Sequence, residues 1–340
     1  MNKSFLIALF LSSSALLAGA PGAPSPSDWQ KAFLAPPVPH IAISGCNRGY
    51  LNADGELADA LDPNPTKRAI SIRYGWETHV KIGNNSKSPL WVKVLLHPAD
   101  GIPFTMAYRD LHDRSLIAVE AGVGPLYLRL EPQEIENYIF NPYYSGKPGG
   151  INWTIGEWIE NAFGNCFTPQ PRNAWATIQV LAETADGHFL TAPPDAIEVT
   201  TTYQYRENGI VVNHATVGIT PPAMSFSSPF ERMTSPGGPW AEVGLAITNP
   251  NAKDVSVKIT LREKDGERFS TTDLFVQSGR QLLGMLGDLL PMDADFEGTL
   301  TIASRSGDPV SILGLQMRGK KDVMSEMTIT PMNMGATTKK

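Results

Sequence analysis

Six histidines, His40, His79, His97, His112, His188 and His214, are the first residues to test for metal or proton-transfer chemistry. They stand singly. None has a second histidine at the spacing that puts two imidazoles on one helix face, and neither a G-x-S-x-G elbow nor a phosphate loop occurs. Glu157 and Glu160 fall three residues apart on the wet face of a predicted helix, where they read as solvated charges. A glycoside-cleaving pair would have to be assembled from carboxylates distant in sequence. The run Asn52 to Glu56 resembles part of a calcium loop, but Tyr50 and Leu61 stand where its end ligands belong, so it reads as a polar turn. These residues predict no metal centre, no cofactor and no catalytic group.

Two other sets carry more. Cys46 and Cys166 are the only cysteines, and in an oxidising compartment such a pair is expected to form a disulfide. The stretch 141–173 concentrates Tyr143, Tyr144, Trp153, Trp158, Phe163 and Phe167. Aromatic faces stack on sugar rings and anchor protein partners. Tyr143 and Tyr144, beside Pro142 and Gly146, and Trp153 are the candidate ligand-binding residues. The competing reading makes Trp153, Trp158 and Phe163 the stretch's own small core.

The elements that must position these groups are strands. In Trp240 to Gly266, Val243, Leu245 and Ile247 alternate with small or polar residues. After an Asn-Pro turn, Val255, Val257, Ile259 and Leu261 do the same. A period of two marks strands with one buried and one wet face. Trp76 to Gly101 repeats this arrangement, with Val92, Val94 and Leu96 before Asp100-Gly101. Val92 to Val257 and Gly101 to Gly266 share one offset of 165 residues. Later strands repeat too: Ala176–Val180 with Gly298–Ile302 at an offset of 122, Tyr203–Arg206 with Leu315–Arg318 at 112, and Thr216–Pro221 with Glu326–Pro331 at 110. Between them, Glu131-Pro132-Gln133-Glu134 and Ser278-Gly279-Arg280-Gln281 each read as the start of a short helix plugging one end of the unit.

The expected class is therefore all-β: two tandem β-sandwich domains, each with a plug helix, the first carrying a helical aromatic insert. The expected boundaries are a signal peptide over 1–23, a Pro-rich tether and N-terminal segment over 24–68, domain one over 69–221 with its insert at 141–173, a linker over 222–239, domain two over 240–331 and a tail over 332–340. Lys3 followed by the apolar run Phe5 to Ala18 predicts export, with cleavage between Ala20 and Ala23. No later run is long and apolar enough for a membrane helix. The formal net charge of −6, without a basic stripe, argues against nucleic acid as a partner.

Gly244 to Pro250, Asp265-Gly266, the stretch Ser278 to Leu290 and Phe296 to Leu300 together resemble an immunoglobulin- or fibronectin-like domain common in exported bacterial proteins. The resemblance covers 240–331 well and the first copy loosely. It implies a non-catalytic envelope or extracellular protein that binds, adheres or spaces, with a glycan or an envelope protein as partner. Two other readings stand beside it: a secreted glycan-active hydrolase using the insert as its cleft, and a periplasmic pilus-type chaperone.

Overall fold

Alternation of apolar and polar residues leaves a strand one face to bury, and two such sheets bury their faces against each other. The computed structural model describes residues 22–46, 50–51, 57–58, 69–70, 74–102, 104–110, 116–121, 124–142, 172–207, 210–219, 221–234, 239–266, 269–290, 295–320, 323 and 326–336. In chain order a one-turn helix, α1 (Pro26–Trp29), precedes the long strand β1 (Phe33–Cys46). A small three-stranded sheet comes next, from β2 (Tyr50–Leu51), β3 (Leu57–Ala58) and β4 (Ala69–Ile70). It is succeeded by β5 (Tyr74–Asn84), β6 (Leu90–Pro98), β7 (Phe104–Asp110), β8 (Leu116–Ala121), β9 (Pro125–Leu130) and β10 (Ile135–Pro142). The first half ends with β11 (Arg172–Glu183), β12 (Phe189–Thr191), β13 (Ile197–Glu207) and β14 (Ile210–Gly218). The second half contains β15 (Ser225–Thr234), β16 (Trp240–Thr248), β17 (Val255–Glu263), β18 (Phe269–Val276), β19 (Gln281–Met285), the one-turn helix α2 (Leu286–Leu289), β20 (Phe296–Ser304), β21 (Ser311–Gly319), β22 (Thr328–Pro331) and β23 (Gly335–Ala336).

The pairings among the described strands are antiparallel, and both halves use one strand order. In the first, β9-β6-β11-β1 form one sheet. The end of β1 then crosses to β5, which pairs β13 on its other edge, with β14 beyond. In the second, β18-β17-β20-β15 form one sheet, and β15 crosses to β16, then β21 and β22. β10 and β19 occupy the same edge of β5 and β16. The hairpin β7–β8, added beyond β10, belongs to the first half alone among the described residues. Each half has its own apolar core. Val92, Val94, Ile178 and Leu128 lie in one; Val257, Ile259, Leu300 and Leu261 lie in the other.

The crossing strands explain two departures from the sequence reading. The Pro-rich part of 24–68, up to Pro39, reads as a tether by its Pro, Ser and Ala content, and Pro36, Pro37 and Pro39 lack the N–H that a central strand needs. In place of a tether, Phe33–Cys46 is the strand shared by both sheets of the first half, with Ala35, Val38 and Ile41 buried. Its prolines fall at the two register shifts, Ala35/Val38 and Val38/Ile41, where the ladder is broken anyway. Residues 222–239, read as a linker, likewise contain β15, whose Phe226 and Phe230 enter the second core.

A strand that changes sheets leaves backbone groups without a ladder partner at the crossing. Each half meets this with one side chain. The Thr78 hydroxyl donates to the Ala42 carbonyl and accepts from the Ala42 N–H, at 2.8 and 2.9 Å. The Gln316 carboxamide accepts from the Glu231 N–H at 3.0 Å and donates to the Glu231 carbonyl at 2.9 Å. Buried backbone polar groups are paired almost without exception, so each device is a requirement of the crossing.

The plug helices are also corrected. Glu131–Glu134 is a tight turn, closed by a 3.0 Å bond from the Glu134 N–H to the Glu131 carbonyl. Gln133 sits at φ +66°, and its counterpart Gly279 at φ +67°. Proline before a positive φ is the type II turn pattern, and a residue in that conformation ends any helix. The turn leads into strand β10 in the first half and strand β19 in the second. Among the described residues only the second half then makes a helical turn, α2, whose N-cap Met285 lies seven residues beyond Ser278.

Two repeat registers shift as well. Val94 pairs Ile178 and Ile259 pairs Ile302, so Ile178 matches Ile302 rather than Leu300. Tyr203 pairs Thr78 and Gln316 pairs Val243, so Tyr203 matches Gln316 rather than Leu315. The second slip is by one residue, which would exchange the two faces of the strand. Ile329 lies outside the second core altogether, packed with Met317 and Met327 beside Ala215 of the first half.

Candidate functional site at the junction of the two halves

Of the residues singled out for binding, Tyr143, Tyr144 and Trp153 lie outside the described residues, as does Cys166. Cys46 ends β1, where its backbone is paired with Tyr74. The insert leaves β10 at Pro142 and re-enters β11 at Arg172. The described residues instead bring a different set together, between the halves.

The junction is built on the proline-rich run of β1. The Pro39 carbonyl points across to β16 and β19, where it accepts from the Thr248 hydroxyl at 2.8 Å and from the Gln281 carboxamide. The Gln281 amide nitrogen also donates to the Thr248 hydroxyl at 2.8 Å, so its Oε1 must face His40, 3.1 Å from Nδ1. That orientation assigns the proton of His40 to Nδ1 and leaves Nε2 an acceptor. The Tyr203 hydroxyl donates to the His40 carbonyl at 2.7 Å, and the two rings stack with centroids 5.8 Å apart. His40 is half-buried by area, yet protein surrounds it. Burial pulls its pKa down to about 4, against the opposing bond to Gln281, so the ring is neutral at pH 7. Burial also raises the Tyr203 hydroxyl above its ordinary range.

A second contact lies at the end of β6. The Gln281 backbone N–H donates to the Ala99 carbonyl at 3.1 Å, and the Trp175 indole N–H donates to the Gly279 carbonyl at 3.2 Å. His97 stacks on Trp175 with centroids 4.0 Å apart, and burial lowers its pKa to about 4 as well. Beyond these polar contacts, Trp76 and Trp240 pack with Leu315, Met317 and Ala215 on both sides of the junction.

Between the halves lies a mostly apolar cavity of about 440 Å³. Trp76, Tyr203, Leu283, Leu313 and Met317 form its walls. Gly244 and Gly284 also line it and are closely packed: a Cβ on Gly284 would come to 3.0 Å from Leu289, and one on Gly244 to 3.3 Å from Met317. Its polar lining is His40, Asn173 and Asp288, and Asp288 is exposed at the rim. The Arg232–Glu242 ion pair, 2.9 Å long and with side chains 12% and 7% exposed, packs against Gly287, next to Asp288.

The sequence does not disclose this site because each of its signals points elsewhere. His40 is one of six scattered histidines, Pro39 reads as part of a tether, and Gln281 reads as a helix position. The repeat itself holds the one usable clue: aligned on its offset of 165, Thr248 replaces Gly83, a polar residue where the first copy has none. Among the described residues no group of three or more His, Cys, Asp or Glu could hold a metal ion, and no helix is long and apolar enough to cross a membrane.

Comparison with known proteins adds little to this geometry. No protein-family model matches the chain, and no curated protein matches it. Among solved structures, an anti-sigma factor domain-containing protein aligns over 90% of this chain and 100% of its own at 8% identity, with a TM-score of 0.17, a likeness too slight to carry an argument about fold or function.

Proposed function

We propose that the chain is a non-catalytic exported protein of two tandem immunoglobulin- or fibronectin-like sandwiches, held as one rigid scaffold that presents the 141–173 insert to a glycan or an envelope protein. The observation that carries this reading is the sealed junction. Pro39, Thr248, Gln281 and His40 satisfy one another's polar groups across the two halves, which favours a fixed spacing over a hinge. Long non-repeated loops on a rigid scaffold are where binding residues concentrate. Tyr143, Tyr144 and Trp153 are the contact residues, Cys46 and Cys166 bridge the insert to β1, and the N-terminal segment directs export.

The full chain, displayed to a glycan array and to immobilised envelope extract, tests this. Replacing Tyr143 and Tyr144 together by Ala should abolish capture and leave the melting temperature within about 2 °C, as expected of surface changes worth under about 0.5 kcal/mol. Unchanged capture, or a large fall in melting temperature, would overturn the assignment of these tyrosines to the binding surface.

A further inference from the structure

We infer that the junction cavity is a binding site for a small apolar amine, a ligand with an aromatic or aliphatic body and one protonated nitrogen. The inference uses only Asn173 of the 141–173 stretch and does not depend on the binding role proposed for Tyr143, Tyr144 and Trp153. Its volume of about 440 Å³ falls in the range of pockets that take small molecules, and it lies at the seam of two packed units, where such pockets gather. Trp76, Tyr203, Leu283, Leu313 and Met317 give it apolar and aromatic walls that would bury a ring or short chain.

The polar lining selects the sign of the ligand. His40 turns its Nδ1–H to Gln281, so the nitrogen left over, Nε2, can only accept. Desolvation keeps that ring uncharged at neutral pH. Asp288 brings a carboxylate to the rim, with no hydrogen bond or ion pair to any described residue. Arg232, packed against Gly287 next to Asp288, is matched by Glu242 at 2.9 Å. Asn173, the remaining polar residue of the lining, can donate or accept, so the His40 acceptor and the Asp288 carboxylate at the mouth are what favour a ligand that donates hydrogen bonds and is positive. Trp76 adds to the wall an aromatic ring of the kind that attracts cations. An apolar carboxylate of the same shape would meet Asp288 as a like charge and His40 as a second acceptor.

The experiment is calorimetric titration of the full chain with 2-phenylethylamine and, in parallel, with its anionic counterpart 3-phenylpropionate. Saturable binding of the amine alone is expected, weakening as salt is raised because Asp288 is at the surface. Asp288→Asn should weaken the amine about 5-fold, the size of one partly exposed ion pair. Asp288→Lys should reverse the preference toward the carboxylate. Both changes are at an exposed position, and an unaltered melting temperature confirms the fold. Equal affinity for the two probes, no saturation at millimolar concentration, or an Asp288→Asn variant that binds like the parent would overturn the proposal. The Tyr143→Ala/Tyr144→Ala protein separates this site from the insert: it should bind the amine unchanged, and loss of amine binding there would move the site out of the cavity.

Discussion

Residue 135 and residue 281 occupy the same place in the two halves, the first position of the strand on the edge of β5 or β16. Ile135 pairs Gly83 and is 52% exposed; Gln281 pairs Thr248 and is 9% exposed. The apolar residue faces out and the polar one is buried, the reverse of the usual preference. The difference is what lies against each. Pro39 and His40 of β1 press on the second copy, bringing a carbonyl and an imidazole that need partners. Nothing among the described contacts makes that demand on Ile135. A duplicated fold can thus keep its topology and still change the chemistry of one position completely, once one copy becomes the wall for the other.

At the adjoining corner nothing has changed. Asn84 and Asn249 are 1% and 0% exposed and make the same bonds, residue for residue. The Asn84 amide donates to the Ser88, Leu130 and Glu131 carbonyls at 2.9, 3.1 and 3.0 Å, while its oxygen accepts from the Ser86 N–H. Asn249 donates to Lys253, Val276 and Gln277 at 2.7, 2.9 and 3.1 Å and accepts from the Asn251 N–H. Each carboxamide fastens the corner where the chain passes from one sheet to the other. Replacing either by Ala strands several buried carbonyls at once, and a loss of about 3–5 kcal/mol is expected from each change. Urea unfolding midpoints at constant slope measure it. A cost several-fold smaller at Asn84 than at Asn249 would show that the corners are not equivalent.

Gln281 and Ile135 should instead diverge. Gln281→Ile leaves the Pro39 carbonyl short of a donor and the His40 Nδ1–H without its acceptor, at a cost of about 2–4 kcal/mol. Ile135→Gln, at an exposed position, should stay within about 0.5 kcal/mol of the parent. Equal effects in the same unfolding assay would remove the distinction between the two sites.

The junction is also expected to contribute to the protein's acid sensitivity. The folded-state pKa of His40 is about 4, below the ordinary histidine value of 6.5, so the unfolded chain takes up a proton that the folded chain refuses. Its stabilisation is complete above about pH 6.5 and is lost as pH falls toward 4. For a group so enclosed, the change is on the order of 2–3 kcal/mol. His97 acts in the same direction, with less effect because it is more open to solvent. Carboxylates contribute to acid unfolding too, so the measurement is the difference in stability between the parent and His40→Gln at about pH 7 and about pH 4.5. A pH dependence that the variant leaves unaltered would show that His40 is not the titrating group.

How far the sequence can be read depends on whether a residue's role is local. Period-two alternation finds β6, β16 and β17 because the burial of Val92 or Val257 is set by its own strand. The constant offset of 165 residues places Asn84 over Asn249, although only the turn is visible there and not the bonds that fasten it. β1 escapes because three prolines argue locally against a strand, and the register breaks that tolerate them belong to the pairing with β11, far along the chain. The helix expected at Glu131 gives way for a related reason. Pro132 suits both the first turn of a helix and the second position of a type II turn, and the choice is made by Asn84, 47 residues earlier. The junction cavity has no local signature at all, since His40, Trp76 and Asp288 meet only when the halves do.

That turn supplies the smallest and cleanest comparison. Gln133 and Gly279 share a positive φ, at 66° and 67°, and a Cβ added to Gly279 would meet nothing within 4 Å. Gly279→Ala therefore tests backbone strain with no steric clash, and a cost of about 1 kcal/mol is expected, the usual penalty of a side chain in the left-handed region. At Gln133 that penalty is already present and is partly offset, because its carboxamide donates to the Asn85 and Ser86 carbonyls at 3.2 Å each. Gln133→Gly relieves the strain, gives up those two exposed bonds, and adds freedom to the unfolded chain. The three effects are each at most about 1 kcal/mol and oppose one another, so the variant should fall within about 0.5 kcal/mol of the parent. A loss of stability at Gln133→Gly as large as that at Gly279→Ala would mean that the glutamine's bonds to the preceding loop, and not the turn's backbone, hold this corner in the first half.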